Sequence, residues 1–287
     1  MLAVDLGQSG TSMRLGGKEI QSARGKLAGE STLEALRAVF SSIESLKANC
    51  VALSCTGLYG VVSDPKKYLA LCKEFFGATE VAVIDDGFAA FVGALSGRDG
   101  VALTIGGGVV SIGGLNGKFA HRDGLGSTFG DEGGGFWLGK TGITKALAVR
   151  QGRGDDPEMA DFFKDEIAQY FELNIRDGSD AQTLAIKSAR KVLDAADAGV
   201  STATAIVDEG AFLLAQTIVA TWYGCGGSKA DSPEIVILGG PARNASYVTK
   251  IGLEINAKLP NAVIVQSAGD NLDGATWIAQ KMHNDAP

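Results

Sequence analysis

The sequence predicts an α/β protein built from two related halves, each with a largely parallel sheet covered by helices. Strands alternate with helices from Leu2 to Leu95, an order typical of parallel sheets with helices on both faces. The segment Ala102–Gly113 then repeats the pattern of Ala3–Arg14, in which an apolar strand, a glycine turn and a second strand follow one another. The chain is therefore predicted to be duplicated, with a boundary near residues 97–100.

The elements of the first half follow from short local patterns. Strands over residues 2–6, 11–15 and 19–23 form a meander around the turns at residues 7–10 and 16–17. Ser31 and Glu34 have the spacing of a capping box, so a helix is expected over residues 32–46. Further elements are expected as a strand over 51–55, a helix over 65–76, a strand over 81–85 and a helix over 86–95.

The second half continues through a glycine-rich segment, residues 124–139, and a mostly helical charged stretch, residues 140–199. A long amphipathic helix with an apolar face over residues 211–222 follows, then a buried strand over 235–238, a helix, a strand over 263–265 and a last helix whose apolar face includes Ala275 and Ala279. We expect this last helix to return to the first half. The predicted domains are residues 1–98 with 272–287, and residues 99–271.

Charge and composition exclude several classes of function. A net charge of -7 and a pI near 5.0 disfavour binding to nucleic acid or to an anionic membrane. The four cysteines lack C-x-x-C spacing, and with two histidines the chain offers no recognisable zinc site. Asp5 interrupts any signal-peptide core, and the apolar stretch over residues 211–222 is too short to span a bilayer. We therefore expect a soluble, cytoplasmic protein.

The first motif is an acid followed by a glycine turn, Asp5 to Thr11. Its glycines and the residues between them can expose backbone N–H groups to phosphate; the candidate ligand residues are Asp5, Gly7, Gln8, Ser9, Gly10 and Thr11. A dinucleotide-binding turn would lead into a helix, whereas a strand follows here. Mg²⁺ held by Asp5, directly or through water, would reconcile the acid with a bound phosphate chain. The alternative is a hairpin in which Asp5 bonds local amides.

A second glycine turn, Gly106-Gly107-Gly108, lies between two apolar strands. Glycine weakens a strand, so its presence is expected to serve close approach of the backbone to a ligand. A hairpin here could bind the same phosphate chain as the first turn, from the other side of a cleft. The alternative is an ordinary glycine-rich hairpin.

A third glycine-rich segment, residues 130–135, carries Asp131 and Glu132. Such glycine density favours a backbone that packs against a ligand. Asp131 could bond sugar hydroxyls, and Glu132 could do the same or cap the helix that follows. An acidic helix N-terminus without any ligand is the alternative.

Asp86 is predicted to end a buried strand and begin a helix, a position where α/β proteins place working residues. Its carboxylate could accept the proton of an attacking hydroxyl in phosphoryl transfer. An ordinary N-cap is the alternative, and Asp85 is the rival if the boundary is shifted by one residue. A further turn, Gly239-Gly240, ends a buried strand and could admit an adenine or ribose.

Taken together, these segments resemble the BadF/BadG/BcrA/BcrD ATPase family, which includes N-acetylglucosamine kinases. The resemblance is carried by the phosphate motifs at residues 5–11 and 105–109, by Asp86 in Asp-Gly-Phe-Ala-Ala, by Gly124-Leu-Gly126 with Gly130-Asp-Glu-Gly133 and Trp137-Leu-Gly139, and by the adenosine motif at residues 235–242. It implies a two-lobed, actin-like (ribonuclease H-like) duplicated fold with a cleft between the lobes. It also implies ATP and Mg²⁺ as cofactors, Asp86 as the catalytic base, and a sugar-binding group of Gly124, Gly126, Asp131 and Glu132.

The same resemblance implies transfer of the ATP γ-phosphoryl group to an amino sugar such as N-acetylglucosamine or glucosamine, giving the 6-phosphate. The second phosphate motif departs from the family pattern G-T-G-S, because it reads Gly-Gly-Gly-Val and lacks both hydroxyls, and Val110 replaces a frequent Asn. Another family branch activates 2-hydroxyacyl-CoA dehydratases through an iron–sulfur cluster, which four scattered cysteines do not favour. A non-catalytic nucleotide- or sugar-binding protein is the other alternative, and pairing into a homodimer stays open.

Overall fold

The computed structural model describes residues 1–8, 10–22, 24–27, 29–58, 60–175 and 178–284, with the side chains of residues 21, 22, 283 and 284 left aside. The chain divides into two compact units. Unit 1 contains residues 1–99 and 266–287, and unit 2 contains residues 100–265.

Unit 1 contains a five-stranded mixed sheet. Its strands are β1 (Leu2–Leu6), β2 (Thr11–Leu15), β3 (Lys18–Ser22), β4 (Cys50–Cys55) and β5 (Glu80–Asp85), in the order β3-β2-β1-β4-β5. The pairs β1/β4 and β4/β5 are parallel, whereas β2 and β3 form the predicted antiparallel meander. The carboxyl ends of β1, β4 and β5 therefore meet at one edge of the sheet.

Helices cover both faces of this sheet. They are α1 (Thr32–Ser41), α2 (Pro65–Phe76), α3 (Asp86–Leu95) and the C-terminal helix α10 (Asn271–Asn284). One face carries α1 and α2 over a core that includes Leu36 and Leu53. On the other, α10 packs over small residues of the strands, and its Gly274 lies so close to α3 that a Cβ there would be 2.0 Å from Ala89 O.

Unit 2 repeats the topology. Its strands are β6 (Gly100–Ile105), β7 (Val109–Leu115), β8 (Lys118–Asp123), β9 (Glu234–Gly239) and β10 (Val263–Ile264), in the order β10-β9-β6-β7-β8. The strands β6, β9 and β10 pair in parallel, and β7 and β8 again form an antiparallel meander. The predicted α/β class and its internal duplication are confirmed.

The described residues of unit 2 form six α-helices: α4 (Gly135–Arg150), α5 (Pro157–Phe162), α6 (Lys164–Glu172), α7 (Gly178–Asp197), α8 (Ser201–Gly224) and α9 (Ala245–Lys258). A short 3₁₀ helix, Pro241–Arg243, follows β9. Helices α4 and α7 pack at very short range, since a Cβ at Gly139 would lie 1.7 Å from Ala185 O. Only glycine permits this approach, and it fixes α7 beside the start of α4.

Some element bounds differ from the sequence-based expectation. Helix α1 ends at Ser41 instead of residue 46, because the Ser41 and Ser42 hydroxyls donate to the carbonyls of Arg37 and Val39 and compete with further helical bonds. Strands β4 and β5 each begin one residue earlier than expected, β3 begins at Lys18, and β10 has only two residues. Position 23, expected in β3, lies outside the described residues.

Helix α8 is longer than the apolar stretch seen in the sequence. Among the described residues it is the one helix that is long and apolar enough to cross a membrane. Half of its 18-residue apolar segment is buried within the protein. Leu214, Ile218 and Trp222 are at most 3% exposed in the core of unit 2. This packing is that of a core helix, and core helices can be as long and apolar as helices that span a membrane.

Candidate active site

The first glycine turn connects β1 to β2, so it leads into a strand as expected and is not a dinucleotide-binding turn. Gly7 N donates to Gly10 O at 2.9 Å and closes the turn. A Cβ at Gly10 would meet no atom within 4 Å. Thr11 is buried, and its hydroxyl donates to Arg24 O. Ser9, another predicted ligand residue, lies outside the described residues.

One carboxylate oxygen of Asp5 accepts two hydrogen bonds from side chains. Its Oδ1 accepts from Ser54 Oγ at 2.6 Å and from Asn271 Nδ2 at 3.2 Å. Burial raises the pKa of Asp5, and these two donors oppose that effect. No hydrogen bond from the described residues reaches Oδ2, so this oxygen can take a further ligand. Neither Ser54 nor Asn271 was predicted as a site residue.

The surroundings of Asp5 fit a magnesium ion that is bound partly by the protein and partly by phosphate oxygens. A cavity of about 320 Å³ beside Asp5 is lined by the oxygen-bearing side chains of Ser12, Glu19, Asp270 and Asn271 together with the apolar Met13, Ile20 and Leu272. Among the described residues no group of three or more His, Cys, Asp or Glu could hold a metal alone. Mg²⁺ commonly takes one or two carboxylates and completes its octahedron with water and substrate phosphates. The carboxylate of Asp5 could therefore be one of the protein ligands of such an ion.

Asp86 is the first residue of α3, and Asp85 is its N-cap. Asp85 Oδ1 accepts from Gly87 N at 3.0 Å, and its Oδ2 accepts from Gly60 N at 3.2 Å. The capping role left open for Asp86 therefore falls mainly to Asp85. Asp86 Oδ1 also accepts from Gly87 N at 3.0 Å, within the first turn of the helix.

The environment of Asp86 makes its carboxylate unusually basic. Burial is the largest cause, the charges of Asp85 and Asp5 add to it, and together they raise the pKa of Asp86 to about 6. A hydrogen bond from Thr56 acts in the opposite direction. Because Asp5, Thr56 and Asp86 lie at the ends of the parallel strands β1, β4 and β5, one edge of unit 1 carries the first glycine turn and a proton acceptor. Thr56 was missed because its role depends on pairing between strands distant in sequence.

The second glycine turn, in unit 2, is bonded to the start of α4. Gly106 N donates to Gly108 O at 2.8 Å, and the first N–H groups of α4, on Gly135 and Phe136, donate to Gly106 O and Gly107 O. The carbonyls of the turn thus point into the helix terminus. The turn lies at the carboxyl end of β6, where β6 pairs with β9.

Asp131 is hydrogen-bonded to the residue that directly follows this turn. Its Oδ1 accepts from Val109 N at 2.9 Å, and a Cβ at Gly108 would lie only 2.5 Å from its Oδ2. Asp131 is buried, and burial raises its pKa. The carboxylate predicted to bond sugar hydroxyls therefore already uses one oxygen within the protein.

The other predicted sugar-binding residues are more exposed. Glu132 is exposed, and the N-cap of α4 is Gly134, so the capping role considered for Glu132 is wrong. Gly124 and Gly126 have φ of 72° and 81°, conformations that favour glycine. They flank Leu125, which is 70% exposed, in a loop that the Gly124 N bond to Val109 O ties to the second glycine turn.

A cavity of about 650 Å³ lies beside this turn. Gly106, Gly107 and Gly135 form one wall, and Gly240 and Pro241 after β9 form another. Ile186, Arg190, Leu193 and Asp194 of α7 complete it. The sequence did not identify these α7 residues, because a charged amphipathic helix gives no local sign of which side lines a cavity. Gly239 has φ 104° and lies against Ile105 O, whereas Gly240 faces the cavity.

A family comparison agrees with this arrangement. The model of the BadF/BadG/BcrA/BcrD ATPase family matches residues 2–279, almost the whole chain. The chain belongs to the BadF/BadG/BcrA/BcrD ATPase family. The resemblance inferred from the motifs is thereby confirmed, and the two glycine turns, Asp86 and the turn after β9 all lie within the matched residues. Among curated proteins, no sequence matches this family member.

Solved structures with the same fold include several kinases. A candidate N-acetylglucosamine kinase from Chromobacterium violaceum is 20% identical, with 97% of this chain and 98% of that chain covered and a TM-score of 0.68. A candidate N-acetylglucosamine kinase from Porphyromonas gingivalis is 17% identical, with 99% of both chains covered and a TM-score of 0.69. A ROK family glucokinase from Streptomyces griseus, in complex with glucose and AMPPNP, is 16% identical over 98% and 99% of the two chains, with a TM-score of 0.58. At these identities the likeness establishes the actin-like fold of this BadF/BadG/BcrA/BcrD ATPase.

Proposed function

We propose that this ATPase-family protein is an ATP-dependent sugar kinase that transfers the γ-phosphoryl group to a hydroxyl of an amino sugar. The observation that carries the proposal is Asp86, a carboxylate with a pKa of about 6 at the strand edge that also bears Asp5 and the first glycine turn. A group with that pKa is ionised at neutral pH, yet basic enough to accept a proton from an alcohol in the transition state.

ATP is proposed to bind through both glycine turns and the large cavity of unit 2. A volume of about 650 Å³ is in the range of small-molecule sites, and its walls combine apolar side chains with a few polar groups. Ile186 and Leu193 offer an apolar surface for a base, while Asp194 offers an acceptor for ribose hydroxyls. The expectation that the two glycine turns bind one triphosphate stays a prediction.

Magnesium would be held by the free oxygen of Asp5 and, when bound, would neutralise developing charge on the phosphate oxygens. Ser54 and Asn271 keep the other oxygen of Asp5 fixed and favour its ionised form. Asp86 would accept the proton of the attacking hydroxyl, and Thr56 would hold the Asp86 carboxylate in orientation. These are the roles that the residues of unit 1 can fill.

The acceptor is proposed to be N-acetylglucosamine or glucosamine, with the 6-phosphate as product. Two of the kinases with this fold are named as candidate N-acetylglucosamine kinases, which supports an amino sugar over other alcohols. Gly124, Gly126, Asp131 and Glu132 are proposed as sugar contacts, with Asp131 limited to the oxygen that Val109 does not occupy. Because the substrate is ATP, we propose that the protein acts in the cytoplasm.

The other family branch finds no support in the cysteines. Cys55, Cys72 and Cys225 are buried and Cys50 is partly exposed, and none is in a disulfide. Burial raises the pKa of Cys55 and Cys72, which disfavours the thiolate needed to ligate iron. Cys55 and Cys72 are therefore poor ligands for an interface cluster.

The proposal is tested by incubating the protein with Mg²⁺ and ATP over a panel of hexoses and amino sugars, while ADP release is followed. We expect ADP release that depends on an amino sugar and a matching sugar phosphate in the mass spectrum. ADP release that is independent of every sugar would identify an ATPase without this acceptor. Nucleotide binding without any turnover would favour the non-catalytic alternative.

A further inference from the structure

The segment that follows β3, residues 24–27, folds back onto the first glycine turn. The Thr11 hydroxyl donates to Arg24 O, and Lys26 N donates to Gly7 O at 2.9 Å. Between them, Gly25 lies so close to the turn that a Cβ would be 2.3 Å from Gln8 O. The backbone of Lys26 is therefore fixed against the phosphate-binding motif.

The Lys26 side chain runs from this anchor to the turn that follows β4. A Cβ at Gly57 would lie 3.2 Å from Lys26 Cε and 3.5 Å from Nζ, so the ammonium group lies against the Gly57 backbone. Gly57, with φ 81°, directly follows Thr56, whose hydroxyl is bonded to Asp86. The cation thus lies between the first glycine turn and the residue that holds the proposed base.

No carboxylate of the described residues lies within 4.0 Å of the Lys26 ammonium group. Arg24, two residues earlier, is by contrast paired with Glu30. Lys26 is half-buried in a protein whose net charge is -7, so acidic partners are abundant elsewhere on the chain. A partly buried ammonium group without a carboxylate partner is stabilised when an anionic ligand accepts a hydrogen bond from it.

We propose that Lys26 binds the terminal phosphate of ATP and stabilises it during transfer. This inference rests on the proposed kinase function. In the step, the acceptor oxygen forms a bond to the γ-phosphorus, and the bond from that phosphorus to the β–γ bridging oxygen breaks. ADP leaves with the electron pair, and the acceptor proton passes to Asp86. Lys26 donates to an equatorial oxygen of the phosphoryl group, where charge is spread in the transition state.

The test compares Lys26→Met and Lys26→Arg with Lys47→Met, which alters an exposed lysine of the same unit. Binding of Mg²⁺ with AMPPNP and with ADP is measured by calorimetry, and turnover is measured with an amino sugar. Loss of one charge-assisted contact to the γ-phosphate should weaken AMPPNP binding by about tenfold or more and change ADP binding by less than about threefold. Turnover should fall by about a hundredfold or more, because a donor to the transition state is lost. Lys26→Arg should restore part of both losses, and Lys47→Met should behave as the wild type.

Equal weakening of AMPPNP and ADP, or no change in either, would overturn the proposal and leave the kinase function standing. A change confined to affinity for the sugar would also overturn it, since the ammonium group would then bind the acceptor. If the wild type binds nucleotide but phosphorylates no sugar, the kinase function fails, while the AMPPNP-to-ADP ratio still decides the role of Lys26. If the wild type binds neither nucleotide, both proposals fail. Thermal unfolding shows whether Lys26→Met is folded, and Lys26→Gln replaces it where it is not.

Discussion

Ser54 Oγ donates to Asp5 Oδ1 at 2.6 Å, and the two residues are register partners in the parallel pair β1/β4. Asn271, at the start of α10, donates to the same oxygen at 3.2 Å. Two residues from distant parts of the chain thus hold the Asp5 carboxylate at the end of the first strand. The other oxygen of Asp5 stays available for the proposed metal.

Ser54→Ala should weaken the proposed magnesium site. It removes a donor that favours the ionised form of Asp5, so burial would raise the pKa of Asp5 further. We expect the Mg²⁺ concentration for half-maximal ATP binding to rise by about tenfold, in line with the loss of a partner that orients a metal ligand. Calorimetric titration of ATP at several Mg²⁺ concentrations measures this, with the exposed Ser63→Ala as control. An unchanged Mg²⁺ requirement would remove Ser54 from the account.

The pH dependence of catalysis should report the ionisation of Asp86. With a pKa of about 6, the base is protonated in acid, so kcat/KM for the sugar should fall about tenfold per pH unit below pH 6. Thr56→Val removes the hydrogen bond that lowers this pKa, and the acid limb should therefore move to higher pH. Thr249→Val, an exposed threonine of α9, serves as control. An acid limb that stays in place in Thr56→Val would argue that another group titrates.

Stability should respond to Asp86 in the opposite sense to activity. The pKa of Asp86 is raised from 3.8 to about 6, so the folded state binds the proton more tightly than the unfolded state. The resulting stabilisation is present below about pH 4 and is lost as the pH rises through about 6. Asp86→Asn should then raise the free energy of unfolding by up to roughly 2–3 kcal/mol at pH 8, and by much less at pH 4. Denaturant unfolding at the two pH values measures the difference, and equal effects at both would contradict the raised pKa.

Two glycines of the second turn should tolerate alanine differently. A Cβ at Gly108 would lie 2.5 Å from Asp131 Oδ2, whereas the nearest atom to a Cβ at Gly106 is 3.9 Å away. Gly108→Ala should break the Asp131 bond to Val109 N and cost about 1–3 kcal/mol of stability. Gly106→Ala should change stability by less than about 0.5 kcal/mol. Thermal unfolding of the pair measures this, and equal losses would show that Asp131 does not support the turn.

Much of the fold could be predicted from the sequence because its signals are local. Helix α2 has its predicted bounds, proline at its start and a left-handed Gly77 at its end. Helix α1 was predicted too long, since the bonds from the Ser41 and Ser42 hydroxyls to backbone carbonyls are not visible in an apolar pattern. The repeated turn after β6 was recognisable because glycines between apolar residues are unusual in a strand.

The partners of the site residues could not be predicted in the same way. Asn271 reaches Asp5 only because α10 packs on the sheet of unit 1, and Thr56 reaches Asp86 only through the pairing of β4 with β5. Lys26 is one residue after a glycine that the first turn requires, a relation that no local pattern shows. These contacts join residues that are far apart in sequence, so short sequence motifs do not predict them.

The most direct test of the account is the formation of phosphorylated amino sugar by the wild type and by Asp86→Asn, followed by mass spectrometry with Mg²⁺ and ATP. We expect one sugar phosphate for each ADP in the wild type. In Asp86→Asn we expect turnover lower by about 10²–10⁴, the range of a general base, with ATP affinity changed by less than about threefold. A wild type that phosphorylates no sugar in the panel, or an Asp86→Asn protein as fast as the wild type, would contradict it.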